Sequence, residues 1–229
     1  FSTSLMIGRC LVNIYLSENK NRFWNLIAQS TDKPTPASLF AVGYVVWKIG
    51  KNFKSSLTNL AQKLANVKEQ SLIFPALYAL VKIYKVCGDI LQVFCNEAFG
   101  FAKGLVSNVN EIIQIKAIKF IQVLSELNMI TLKNIMNVAA DGFKYAKSQY
   151  MIEETAKLVA IHSAFNLKSI TNCENIKSKD DLVKDDKFNF EKEASELQNC
   201  FTIILKFKNH FSIIFRRFLD LLEPQFIIS

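Results

Sequence analysis

Five times along this chain, a turn-like segment gives way to a small polar residue, then an apolar one, then a fresh apolar-periodic run. The polar residues are Ser56, Asp89, Thr131, Ser169 and Ser212, and the steps between them are 33, 42, 38 and 43 residues. A looser sixth case, Asn21, lies 35 residues before Ser56. Ser, Thr, Asp and Asn are the residues whose side chains accept from the unpaired N–H groups that open a helix. A cap returning at the spacing of a helix pair points to helical hairpins that stack on one another, since one pair alone cannot bury its apolar face.

The spacing of the apolar residues agrees. Leu39, Val42, Val45, Val46 and Ile49 recur at steps of three and four, and so do Leu57, Leu60, Leu64 and Val67. The same holds for Leu72–Ile83, Ile90–Phe101, Ile112–Leu127, Leu132–Ala139 and Met151–Ile161. With 7 Gly, 4 Pro and half of the residues apolar, the chain reads as all-α, with ample material for a core. The predicted architecture is a right-handed α-solenoid of about five or six stacked helical hairpins. Residues 1–33 form an N-terminal helical segment and 34–170 the helical-repeat core. Residues 171–192 form a charged loop or disordered insertion, and 193–229 a C-terminal hairpin, all within one continuous domain. The prolines of the segment 30–36 mark a linker. The segments around 51–56, 84–88, 127–129, 165–168 and 206–210 are the predicted turns within the hairpins.

No uncharged run reaches the roughly 20 apolar residues that a membrane span needs, the longest being 34–47, so no integral span is expected. The five cysteines are odd in number and contain no CxxC, which argues against a disulfide framework. No catalytic constellation, metal-ligand spacing or phosphate loop is present, so no enzyme activity, metal, cofactor or small-molecule substrate is expected. His162 and His210 read as polar residues near helix ends. Glu153 and Glu154 read as an exposed acidic pair, and Cys87 and Cys95 as buried thiols.

Charge is the more informative quantity. The net charge is +8, and residues 1–110 carry 12 basic side chains against 5 acidic, while residues 171–229 carry 9 against 10. A basic N-terminal half favours an acidic partner. The 24 lysines against 4 arginines, with abundant Asn, Ile and Phe, also fit translation from an AT-rich genome. Lys51, Lys54, Lys85, Lys133, Lys168 and Lys208 fall in or beside the predicted turns, with Arg216 and Arg217 one turn into the last helix. Stacked in register, these turns would line one electropositive edge able to follow a phosphate backbone. Phe53, Tyr84, Phe165 and Phe211 lie nearby, where they would stack on bases or close gaps between helices. The opening segment FSTSLMIGR, with Ser, Thr and Arg and no acid, suits the end of a mitochondrial targeting segment.

The segments ALYALVKIYKVCGDILQVFCNEA and KAIKFIQVLSELNMITLKNIMNVAA resemble the degenerate organellar helical-hairpin repeats called heptatricopeptide and octotricopeptide repeats, found in FAST-kinase-like and RAP-domain proteins. The resemblance spans about 35–225 and rests on periodicity; the spacing is similar to armadillo and HEAT repeats as well, and no RAP domain is evident. It implies a non-catalytic RNA-binding protein of the mitochondrial matrix in a protist, within a large ribonucleoprotein such as the mitoribosome, contacting rRNA and neighbouring protein subunits. Two other expectations stay open: a structural accessory subunit of an inner-membrane respiratory or ATP synthase complex, and a HEAT-like protein-binding scaffold.

Overall fold

The computed structural model describes residues 2–17, 20–171, 198, 202 and 205–226. The protein is all-α: 86% is helical, with no strand among the described residues. The helices are α1 (Ser2–Leu16), α2 (Lys20–Asp32), α3 (Pro36–Ile49), α4 (Lys54–Ala65) and α5 (Gln70–Leu91). They continue with α6 (Cys95–Gly104), α7 (Glu111–Glu126), α8 (Leu132–Tyr145), α9 (Gln149–Thr171) and α10 (Phe211–Phe226).

Four helix starts are fixed by side chains. Thr35 accepts from the Ser38 N–H while Ser38 Oγ accepts from the Thr35 N–H, a reciprocal capping box with Pro36 at the first helical position. Asn110 Oδ1 accepts from Ile112 N–H, Thr131 Oγ1 from Asn134 N–H, and Ser148 Oγ from Met151 N–H. Of the five caps expected from sequence, Thr131 alone occupies a cap position. Ser56 and Ser212 fall inside the first turns of α4 and α10, Asn21 inside α2, and Ser169 inside α9. Asp89 lies within α5, beyond a kink at Cys87 whose backbone leaves helical geometry (φ −137°, ψ 30°). The hairpin turn expected at 84–88 contains this kink, and the 3-10 turn Gln92–Phe94 follows before α6. The turn expected at 165–168 is helical instead, because α9 runs unbroken to Thr171. No Gly or Pro interrupts its sequence, and one Asn costs too little propensity to end a helix. α8 passes through Asp141-Gly142 to Tyr145, and Pro75 lies inside α5. The linker at 30–36 shrinks to residues 33–35, because α2 extends to Asp32 and a proline at the first helical position needs no N–H. The expected insertion 171–192 and the first helix of the C-terminal hairpin lie outside the described residues, apart from the isolated positions above.

The odd-numbered helices pack in succession, α1 on α3, α3 on α5, α5 on α7 and α7 on α9, and α9 meets α10. Between them, α2 packs on α1 and α3, α4 on α5 and α6, α6 on α7, and α8 on α7 and α9. Pairings between α3 and α5 rise together along both chains: Phe40 meets Phe74 and Tyr78, and a Cβ on Gly50 would meet Val86. Tyr84 meets Phe120 and a Cβ on Gly88 would meet Leu127, so α5 and α7 are parallel too. Lys119 with Tyr150 and Gln122 with Glu154 give α7 and α9 the same sense. Gly43 makes the α3–α5 approach possible. A Cβ there would stand 2.7 Å from the Tyr78 ring and 3.3 Å from the Ala79 Cα, a backbone atom that cannot swing aside.

One apolar cluster runs from Leu11 to Leu158 through α1–α9, with Phe23, Leu39, Leu77, Leu80, Tyr84, Phe120 and Ile121 fully buried. A smaller cluster joins Ala139, Ala156, Val159 and Ala160 to Ile214 and Phe218, seating α10 on α8 and α9. The segment Gln70–Gly104 is long and apolar enough to cross a membrane by length and composition, which counting uncharged runs did not reveal. Its apolar window is 61% buried by neighbouring helices.

Candidate nucleic-acid interface

The outward face of α3, α5 and α7 carries lysines interleaved with aromatic rings. On α3, Lys48 Nζ lies 4.1 Å from the Trp47 ring centroid and 5.9 Å from that of Tyr44. From α5, Lys82 Nζ reaches across to the same Trp47 ring at 5.3 Å and to its own Tyr78 at 5.7 Å. From α7, Lys116 Nζ lies 5.3 Å from the Phe74 ring of α5. Trp47 remains 54% exposed despite two lysines beside it. A cation over an aromatic face is attracted by the ring quadrupole, by about 0.5–1 kcal/mol at exposed sites.

The lysines feel one another. Burial lowers the Lys82 pKa, and Lys85 lowers it further. Burial also lowers that of Lys116, with Lys119 and Lys82 adding to the shift and Glu154 opposing it. An anion laid on this face would relieve that repulsion. At its far side the face closes on acid. Lys119 Nζ donates to Tyr150 Oη at 2.6 Å and pairs with Glu154 at 3.1 Å. Burial by itself would lower the Lys119 pKa, but these two partners outweigh it and hold the group charged. Burial would likewise raise the Glu154 pKa, but hydrogen bonds from Gln122 and Lys119 bring it below the ordinary carboxylate value. Glu153 accepts from Arg217 Nη2 of α10 at 2.8 Å. Glu153 and Glu154 are thus half-buried and paired, not the exposed acids expected from sequence.

Among the residues singled out from sequence, Lys85 lies beside Lys82 of this face, and Lys51 shares the 34-residue register with Lys85. Lys51 is exposed in the 3-10 turn Gly50–Phe53, and Lys85 is exposed on α5 one turn beyond Lys82. Lys133 is exposed in the first turn of α8, Lys208 is exposed in the 3-10 turn before α10, and Arg216 is exposed on α10. Arg217 is held by Glu153 and Asp220. Lys54 opens α4 and Lys168 lies in the last turns of α9, and their side chains are outside the described residues. Of the aromatics expected near bases, Tyr84 is fully buried edge-on against Phe120, which removes it from any ligand. Phe211 stacks on Phe215 within α10, and the side chains of Phe53 and Phe165 are outside the described residues. His162 is buried in α9, and His210 stacks on Phe143 at 4.1 Å. Cys87 and Cys95 are buried, and burial pushes the Cys95 thiol up to about 11.

Sequence reasoning missed Tyr44, Trp47, Lys48, Phe74, Tyr78, Lys82, Lys116 and Lys119. A signal was present: Lys48, Lys82 and Lys116 recur every 34 residues, as do Lys51, Lys85 and Lys119. Phe40 with Phe74 and Tyr44 with Tyr78 keep the same interval. Aligning the chain on supposed caps hid it, because the turns vary in length while the first helices of the hairpins hold their register. No group of three or more His, Cys, Asp or Glu among the described residues could hold a metal ion. No protein family, curated protein or solved structure matches this chain.

Proposed function

We propose that this chain is a non-catalytic helical-repeat protein that binds RNA, using the lysine–aromatic face of α3, α5 and α7. The observation that carries the proposal is the set Lys48, Lys82 and Lys116, which recur every 34 residues on adjacent parallel helices, each beside an aromatic ring. Positive charge along a groove or face supplies affinity for phosphates, and rings between the charges offer stacking platforms. The helices are proposed to form a right-handed α-solenoid of stacked hairpins. What supports this is the parallel succession α3, α5, α7 and α9, with each return made by an intervening helix. A mitochondrial ribonucleoprotein, with rRNA and neighbouring subunits as partners, is the setting favoured by the repeat resemblance.

Retention of labelled RNA across a salt series tests the reading. The expected result is binding whose log affinity falls linearly with log salt. Absence of binding at low salt, or binding indifferent to salt, contradicts it.

A further inference from the structure

The lysine–aromatic face has two ends, and both are set by the register that builds it. One step forward from Lys116 and Lys119 the register reaches Tyr150 and Glu153 on α9. One step back from Lys48 and Lys51 it reaches Ile14 and Ser17 on α1, neither of which carries charge. Lysine therefore occupies both positions only in the steps that fall on α3 with its following turn, on α5 and on α7. At the α9 step the lysines are lost. The register carries Tyr150 and Glu153 there; Glu153 holds Arg217 at 2.8 Å, and the neighbouring Glu154 holds Lys119 at 3.1 Å, so no unpaired cation continues the strip.

We propose that this face is a bounded, three-rung site for a short single-stranded stretch of RNA, closed on one side by the acids of α9, and not a track open to strands of any length. The inference rests on the RNA-binding reading above. Helices packed at 8–10 Å place the first and third rungs about 20 Å apart. The lysines Lys48, Lys51, Lys82, Lys85 and Lys116 can neutralise about five phosphates, and a sixth only where Lys119 leaves Glu154. Rings of Tyr44, Trp47, Phe74 and Tyr78 lie between them, and stacking on a ring requires an unpaired base. Beyond the third rung a strand meets Tyr150 and Glu153, and Arg217 is already held by Glu153 and Asp220, so its phosphates gain no unpaired cation.

The experiment is fluorescence anisotropy of labelled oligouridylates from about 3 to about 18 nucleotides, each over a salt series, with polyglutamate as a competitor. The expected salt slope steepens with length up to about six nucleotides and then holds between about −3.5 and about −4, the values for five and six phosphates of a single strand. A slope that keeps steepening to the longest oligomer overturns the bounded site while leaving RNA binding intact. No binding at any length overturns the RNA reading itself. Tight binding of polyglutamate without oligouridylate does the same and assigns the face to an acidic protein. A second arm uses Glu153→Lys, with Glu153→Gln as the control for loss of the Arg217 pair and thermal melts to verify folding. The lysine variant is expected to steepen the slope for long oligomers by about 0.7 and leave that for six nucleotides unchanged. An unchanged slope at native melting temperature removes α9 as the end of the site.

Discussion

Lys82 Nζ, carried by α5, sits 5.3 Å from the centroid of the Trp47 ring, carried by α3. One exposed aromatic is thus shared by lysines from two helices, since Lys48 reaches it from its own turn at 4.1 Å. A base arriving on Trp47 must displace at least one of them, and the displaced ammonium is then free to meet the adjoining phosphate. The ring's fluorescence should report the event. In a Trp24→Phe background, where Trp47 is the remaining tryptophan, added oligouridylate is expected to quench emission. Trp47→Ala should weaken binding by about 1–3 kcal/mol, or about 5–150-fold, measured by anisotropy. Full affinity in Trp47→Ala would remove stacking from the account.

Tyr84 is fully buried in contact with Phe120, and its hydroxyl has no hydrogen-bond partner among the described residues. A buried polar group without a partner costs about 1–3 kcal/mol of desolvation. Tyr84→Phe keeps the ring and removes the cost, so it should raise the melting temperature or leave it unchanged. Destabilisation beyond about 1 kcal/mol in urea unfolding would mean that the hydroxyl is satisfied by a water inside the α5–α7 interface.

The start of α3 rests on the Thr35–Ser38 capping box. Thr35→Ala removes the acceptor for Ser38 N–H and is expected to cost about 1 kcal/mol in urea unfolding. Thr131→Ala, whose bond to Asn134 N–H is longer at 3.4 Å, should cost less. Equal costs would show that the shorter bond at Thr35 is worth no more than the longer one at Thr131.

Burial holds the His162 pKa below the ordinary imidazole value. The unfolded chain therefore binds this proton more readily than the folded one, and stability falls as pH drops through the unfolded pKa. Urea midpoints measured between about pH 7.5 and about pH 5 should decline on acidification by no more than about 1.4 kcal/mol per pH unit from this group. His162→Gln should flatten that decline. A wild-type midpoint that stays level over the window would contradict the burial.

The apolar spacing made the helices legible, because steps of three and four are imposed by the geometry of burying one helical stripe. Leu39–Ile49 and Leu57–Val67 became α3 and α4 with little change. Cap positions were less legible, because a small polar residue near a helix start is equally at home inside the first turn, as at Ser56 and Ser212. Thr35 was overlooked because Pro34 and Pro36 read as a linker, although Pro36 is the residue that opens α3. The kink at Cys87 falls inside the turn expected at 84–88, but helix resumes after it, and a further 3-10 turn at Gln92–Phe94, which no Gly or Pro marks, precedes α6. Lys51 and Lys85 were singled out for lying in turns; Lys51 does lie in the 3-10 turn Gly50–Phe53, whereas Lys85 is carried by α5. The pairing of Glu153 and Glu154 was illegible, since Lys119 and Arg217 reach them from helices distant in sequence.

The most direct test of the central claim compares two triple variants for RNA affinity at low salt. Lys48→Gln with Lys82→Gln and Lys116→Gln neutralises the lysine–aromatic face. Lys133→Gln with Lys208→Gln and Arg216→Gln removes equal charge from exposed positions on α8, the turn before α10 and α10 itself. The first set is expected to abolish most binding and flatten the salt slope by about 2, and the second to leave the slope nearly unchanged. Equal losses from both sets, or a loss confined to the second, would contradict the placement of the RNA on α3, α5 and α7.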